Sequence, residues 1–302
     1  GIDGILYSKD GKMLLKCPAR KAGKVIIPEG VTQICQFAFE DSEIESVVFP
    51  DSLKIIGNRA FKNCSHLKNV DFGSGITQIE DLNKENGTRS FCHFFEDCGK
   101  LKHVSIPKQV ETIGRAAFSN SGLETIDLPA GIKNVYDYAF ENCNIREISL
   151  PANVELGKKS ISGVSEIRVD DDEFLPHGLI QSISEYNGLL NTAPDSSLVV
   201  KIVQGSKIVY IPKDFSGFRA IMDKKRLTMD DLLTFFRKNS VKILGLLIRS
   251  NAAKDFHNAL NISDCSREEL LRLLDKTDDE SPVIRACILD ALSKKETKEM
   301  ML

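Results

Sequence analysis

Tryptophan is absent from this chain, and aromatic residues make up only 7% of its 302 positions. Sugar-binding surfaces stack rings against the apolar faces of their ligands, so this scarcity disfavours a glycan partner. An excess of one charge is missing too. Lys and Arg number 40 against 43 Asp and Glu, a net charge of −3. That balance leaves no basic footprint for nucleic acid and no polybasic patch for a membrane surface. Long apolar runs are also lacking. Val241 to Ile248 is broken by Lys242 and Gly245, well short of the ~18 residues that cross a bilayer, so membrane insertion is not expected. Gly1-Ile2-Asp3 has neither a basic start nor an apolar core, so no secretory leader is legible. A chain that begins with Gly rather than Met says little about what precedes it.

Motifs of catalysis are wanting in the same way. The five histidines (66, 93, 103, 177 and 257) are scattered, with no nucleophile motif beside them, and no Walker or G-x-G-x-x-G loop occurs. Cys92, His93, Cys98 and His103 lie close together, but no C-x-x-C pair exists to anchor a zinc site. The acidic run from Asp170 to Glu173 lacks the Asp-x-Asp-x-Asp-Gly spacing of a calcium loop and reads as a solvated turn. No enzyme, cofactor or metal is expected.

What the chain does have is repetition. Ile27-Pro28-Glu29-Gly30-Val31, Ile106-Pro107-Lys108-Gln109-Val110 and Leu128-Pro129-Ala130-Gly131-Ile132 stand in register with Phe49-Pro50, Leu150-Pro151 and the variant Phe72-Gly73-Ser74-Gly75-Ile76. These six openings lie 22, 23, 34, 22 and 22 residues apart. A period in the low twenties falls in the leucine-rich-repeat range. Before each opening runs a short strand pattern, as in Leu123-Glu124-Thr125-Ile126-Asp127-Leu128, stopped by Pro, which has no N–H for a ladder. After it come an apolar pair (Val110 and Ile113; Ile132 and Val135) and then a small residue with Phe: Ala38-Phe39, Ala60-Phe61, Ala117-Phe118 and Ala139-Phe140, with Phe94-Phe95 as a bulky variant. One Phe per coil predicts a continuous buried spine, each ring contributing about 1.5–3 kcal/mol. Cys64, Cys98 and Cys143 share one slot, each after Asn or Asp. Their recurrence predicts buried, unbridged thiols, despite an even total of eight cysteines.

The Leu-x-x-Ile-x-Leu-Pro strand, the Val/Ile-x-x-Ile pair, the Ala-Phe pair and the Asn-Cys slot together resemble the BspA-like, Treponema-type leucine-rich repeat. The resemblance covers about half the chain. It implies a non-enzymatic protein of a host-dwelling bacterium, surface-associated or secreted, in some members an adhesin.

The expected fold is α+β. Residues 1–26 form a β-hairpin cap, with Ser8-Lys9-Asp10-Gly11-Lys12 between two apolar runs, and residues 27–169 form the leucine-rich-repeat solenoid. Residues 170–214 close it with a second hairpin, Leu198 to Val203 and Lys207 to Pro212. Residues 215–302 form a helical domain of about five or six short helices. Its signals are the capping boxes Thr228 to Asp231 and Ser266 to Glu269, the Ser281-Pro282 start, and apolar stripes that include Leu270, Leu271, Leu273, Leu274, Ile284, Ile288, Leu289 and Leu292.

Function is sought in the side chains that alternate outward between buried strand positions. These are Ser46, Asn69, Asp71, His103, Ser105, Thr125, Asp127, Glu147 and Ser149, a polar and mildly acidic row without rings. Such a sheet face suits a protein or peptide partner. The 34-residue interval contains a polar insertion near 80–89, whose Asn83, Lys84, Glu85 and Asn86 form a second candidate contact, since insertions in solenoids emerge on one face. The alternative is an intracellular scaffold that works through its helical domain, favoured by the free thiols.

Overall fold

The structure, a computed structural model, describes residues 3–79, 92–151, 153–170, 175–183, 199–213, 227–277 and 281–300. The chain divides into two compact units, Gly1–Asp171 with Leu175–Glu185, and Asp172–Phe174 with Tyr186–Leu302.

The first unit is a parallel solenoid with three ladders. The front ladder holds the strands Ala22–Ile26, Glu43–Val48, Asn69–Asp71, His103–Ser105, Thr125–Asp127, Glu147–Pro151 and Glu166–Asp170. The rear ladder holds two-residue strands in two parallel runs, Gln33–Ile34 with Ile55–Ile56, and Gln78–Ile79 with Thr112–Ile113, Asn134–Val135 and Glu155–Leu156. The third ladder runs through the Ala-Phe turns: Phe39 N–H donates to Ala60 O, Phe61 to Phe94 O, Phe95 to Ala117 O and Phe118 to Ala139 O, at 2.7–2.9 Å. Backbone groups that a turn would leave to water are therefore satisfied by the next coil.

Inside these ladders lies the expected spine. Phe39, Phe61, Phe95, Phe118 and Phe140 are at most 1% exposed. Successive ring centroids lie 4.6, 5.2, 5.2 and 5.6 Å apart, with planes within 12–18° of parallel. A second group of rings, Phe49 and Phe72, packs edge-on and tilted against the column. The residue before the Cys slot has a reason to be Asn or Asp: Asp41, Asn63, Asp97, Asn120 and Asn142 all sit at φ between +56° and +62°. Asn and Asp tolerate this left-handed region better than other side-chain-bearing residues. Each then places a small polar group in the core. Cys64, Cys98 and Cys143 donate to the carbonyls of Phe39, Phe61 and Phe118 at 3.1–3.2 Å, and Ser42 and Ser121 fill the same slot.

The N-terminal hairpin pairs Leu6–Tyr7 with Met13–Lys16 and lays Met13-Leu14 parallel to Gln33-Ile34, so it covers the first open edge of the rear ladder. Asp10 receives the hydroxyl of Ser8 and the N–H of Lys12, and Gly11 takes φ +73°. At the other end Ser160 and Ile161, which replace Ala-Phe, are fully buried in the same slot. Lys159 and Ile161 donate to Gln181 and Ser182 of the short helix Leu179–Ile183, which stands where another Ala-Phe turn would be.

In the second unit Val199–Gln204 and Lys207–Pro212 form an antiparallel hairpin with six residue pairs. Among the described residues five helices follow: Met229–Lys238, Ser240–Arg249, Ala253–Ile262, Arg267–Leu274 and the longer Pro282–Met300. Both capping boxes form as read from the sequence. The stripes differ at two places, since Leu271 and Leu289 are 38% and 49% exposed. Each lies about 100° around the helix from a fully engaged neighbour, Leu270 or Ile288, and falls off the buried face.

All eight cysteines are free, and only Cys35 and Cys287 are not buried. A thiol reagent applied to the native chain is therefore expected to label those two alone, and mass spectrometry of the labelled peptides checks it. Burial pushes the thiols of Cys17 and Cys143 up to about 11 from an ordinary 9. A group whose pKa is higher folded than unfolded holds its proton more tightly in the fold. Its contribution is intact below pH 9 and is lost as pH rises toward 11. The urea midpoint should accordingly fall across that window, and should fall less in a Cys17→Ala/Cys143→Ala variant.

Candidate partner-binding face

The front ladder carries the candidate site because its strands bury one side and expose the other. Ile44, Val47, Val104, Ile126, Ile148 and Ile167 turn inward and are at most 8% exposed. The residues between them turn out. Asn69, Asp71, His103, Ser105, Thr125, Asp127, Glu147 and Ser149 are exposed, while Ser46 is half-buried. Parallel register aligns them in two columns. Ser46 pairs with Asn69, and Val48 with Asp71. His103 pairs with Thr125 and Ser105 with Asp127. Glu147 pairs with Glu166 and Ser149 with Arg168.

Among the described residues the front ladder is paired in three patches: 22–71, 103–127 and 147–170. The first break falls at the 34-residue interval. The central patch has the most organised polar cluster. His103 Nδ1 lies 2.7 Å from Thr125 Oγ1, and its Nε2 lies 3.4 Å from Asp127 Oδ2. One imidazole thus ties three of the outward residues together across two coils. In the last patch Arg168 bonds Glu147 and pairs with Glu166 at 2.6 Å. Beside the strands, Lys68–Glu45 and Lys102–Glu124 repeat a cross-coil ion pair at 2.7–2.8 Å. Exposed pairs like these contribute little stability, about 0–1 kcal/mol, but they fix which charges the face displays.

Sequence reasoning missed the first and last members of both columns. Lys24 pairs with Ser46, and Ile26 with Val48. Ile26 is 65% exposed, which gives this end an apolar spot. The signal was present: strand Ala22–Ile26 runs into the Ile27-Pro28 opening, so the same alternation sends 24 and 26 outward. Arg168 could have been found from its spacing to Val169 in the same way.

Cys98 is enclosed on the Phe61 carbonyl, His93 Nδ1 lies 2.9 Å from Glu96 Oε2, and His103 belongs to the exposed cluster. These residues do not converge on one point. Asn83, Lys84, Glu85 and Asn86 lie outside the described residues.

Short parallel strands, one coil per 22 residues or so, wrapped around a column of stacked Phe rings define a leucine-rich-repeat solenoid. The sequence matches the BspA type leucine rich repeat region in six copies, over residues 19–86 and 91–171, and the chain belongs to that family. Among solved structures it is similar to a leucine-rich repeat protein from Bacteroides ovatus, at 21% identity and TM-score 0.46, over 55% of this chain and 43% of that one. It is also similar to a leucine rich cell surface protein from Faecalibacterium prausnitzii, at 28% identity and TM-score 0.40, over 52% and 38%. A third is the T. pallidum leucine rich repeat protein, at 23% identity and TM-score 0.36, over 56% and 84%. The chain thus spans less than half the length of the first two. No curated protein matches it.

Proposed function

We propose that this protein is a non-enzymatic interaction module that binds a protein or peptide through the front sheet face, presented at or beyond a bacterial cell surface. The observation that supports it is the aligned pair of outward columns, whose centre is the His103–Thr125–Asp127 cluster. The face is rigid because the strands beneath it are locked by three ladders and a close-packed core. A rigid, polar, partly ion-paired surface loses little conformational freedom when a partner lands on it. The insertion around Asn83 to Asn86 extends the same proposal, and the adhesin-like role and the compartment follow the family expectation.

The test changes the face and spares the core. Asn69→Arg, His103→Glu and Thr125→Arg combined should lower partner affinity at least about tenfold, a loss near 1.4 kcal/mol. The melting curve should stay that of the parent, because all three side chains are exposed. Partners captured from host and bacterial lysates by the parent chain supply the ligand for titration. Retention of the same partners at the same affinity by the triple variant would reject the face as the site.

A second reading, an intracellular scaffold acting through the helical unit, is favoured by one observation: all eight cysteines are free. Free thiols persist most readily in a reducing compartment. The gene sequence upstream of Gly1 distinguishes the two, since a secretory leader there would exclude this second reading.

A further inference from the structure

We propose that a groove along the helix Ser240–Arg249 is a docking site for an acidic peptide, separate from the sheet face. The groove has a volume of about 920 Å³ and lies wholly within the second unit. One wall is the helix Ser240–Arg249, where Lys242 and Arg249 lie seven residues apart on one face with Gly245 between them, and Lys238, the last residue of the preceding helix, adds a third cation to the lining. The opposite wall brings Lys276, and a Cβ at Gly245 would stand 3.8 Å from its Nζ. Glycine in the middle of a helix is unfavourable by itself. Here it keeps the floor low beneath the ammonium group.

All four cations are exposed, and among the described residues one carboxylate, Glu269, lines the groove with them. Glu269 is already committed, since its Oε2 accepts the N–H of Ser266 at 2.7 Å in the helix cap. Lys238, Arg249 and Lys276 make no ion pair with any described residue. Composition does not account for this gathering. Residues 227–302 contain 12 Lys and Arg against 13 Asp and Glu, so the surrounding unit is close to neutral. Like charges held together repel, and an anionic ligand relieves that repulsion as it binds.

The rest of the lining says what kind of anion fits. Val241 and Leu246 supply half-buried aliphatic surface between the cations, and among the described residues no aromatic side chain lines the groove. Without rings there is no platform for stacked bases, which single-stranded nucleic acid uses. A segment that alternates acidic and aliphatic residues matches both features, and the helix Ser240–Arg249 gives it up to about three helical turns of contact.

The experiment titrates the full chain with a fluorescent peptide alternating Glu and Leu, against the same peptide with Gln for Glu. The Glu peptide should bind at least about tenfold more tightly, and rising salt should erase the difference. Lys242→Glu with Lys276→Glu should cut that affinity about tenfold or more. Gly245→Leu fills the groove without altering charge; it should cut affinity too while leaving the melting curve unchanged or higher. The sheet-face triple variant should bind the peptide as the parent does, which keeps this site distinct from the first. Equal binding of the two peptides, undiminished binding by both groove variants, tighter binding of a short oligonucleotide, or a self-associated chain that the peptide does not dissociate would each overturn the assignment.

Discussion

Phe61→Ala will lower the unfolding free energy of the solenoid by about 3–5 kcal/mol. Phe61 is fully enclosed, with Phe39 at 4.6 Å on one side, Phe95 at 5.2 Å on the other and Phe49 tilted against it at 5.6 Å. Removing the ring costs its transfer free energy and leaves a void, and the size of the second term depends on how far the surroundings can collapse. They can move little here. The Phe61 N–H is bonded to Phe94 O at 2.9 Å, and its carbonyl accepts the thiol of Cys98 at 3.2 Å. The following coil is thus held twice to this backbone, and the preceding coil is held beside it by the Phe39 N–H on Ala60 O at 2.7 Å, which places the loss toward the upper end. Phe61→Leu retains most of the volume and should cost well under half as much. Each coil touches only its neighbours, so the defect should also weaken the chain locally, with hydrogen exchange rising in the coils around Phe39 and Phe95 before the far end. Urea unfolding followed by circular dichroism gives the number, since there is no tryptophan to report it. A cost within about 0.5 kcal/mol, as for a surface change, would mean that the spine does not carry the fold.

The spine was legible because a solenoid writes the same physical demand every 22 residues, and the demand shows as side-chain identity. Ala-Phe, the paired aliphatics and the strand-ending proline each mark a position where the core accepts little else. The Asn or Asp before the Cys slot was visible as a pattern, but its cause, a left-handed residue at φ near +60°, needed the backbone. The third ladder left no trace in the sequence, as it is made of N–H and C=O groups common to all residues. The outward columns followed from alternation, whereas the grouping of His103 with Thr125 and Asp127 depends on lateral register between coils, and a single strand does not encode that. The division of the face into three patches is likewise a property of neighbouring coils. The basic groove was hidden for a similar reason. Lys242 and Arg249 are ordinary solvent-side residues of an amphipathic helix, and Lys238 merely ends the helix before it, until Lys276, 27 positions beyond Arg249, is folded against Gly245.

Two glycines at the same place in different coils should respond oppositely to alanine. Gly75 and Gly131 both occupy the fourth position of a repeat opening, where other coils have Gly30, Ser52 and Gln109. A column read alone would predict that Gly75 tolerates a side chain. The coil around it says otherwise, because Phe72-Gly73-Ser74-Gly75 lacks the proline that shapes the other openings and turns at Gly73 with φ +59°. This brings Gly75 onto the preceding coil. A Cβ there would stand 2.2 Å from Asp51 O and 2.3 Å from Leu53 O, both of them backbone atoms. A carbonyl on the main chain has no rotamer by which to step aside, so the two coils must part. The expected loss for Gly75→Ala is about 3 kcal/mol, the upper end of ordinary overpacking. At Gly131 the nearest such atom is Lys108 O at 3.7 Å, an ordinary contact. Gly131→Ala also removes freedom from the unfolded chain, so it should be neutral or stabilise by up to about 1 kcal/mol. Parallel urea titrations of the two variants decide the matter. Comparable effects would show that the coils are not stacked as closely at Gly75 as the parallel ladders require.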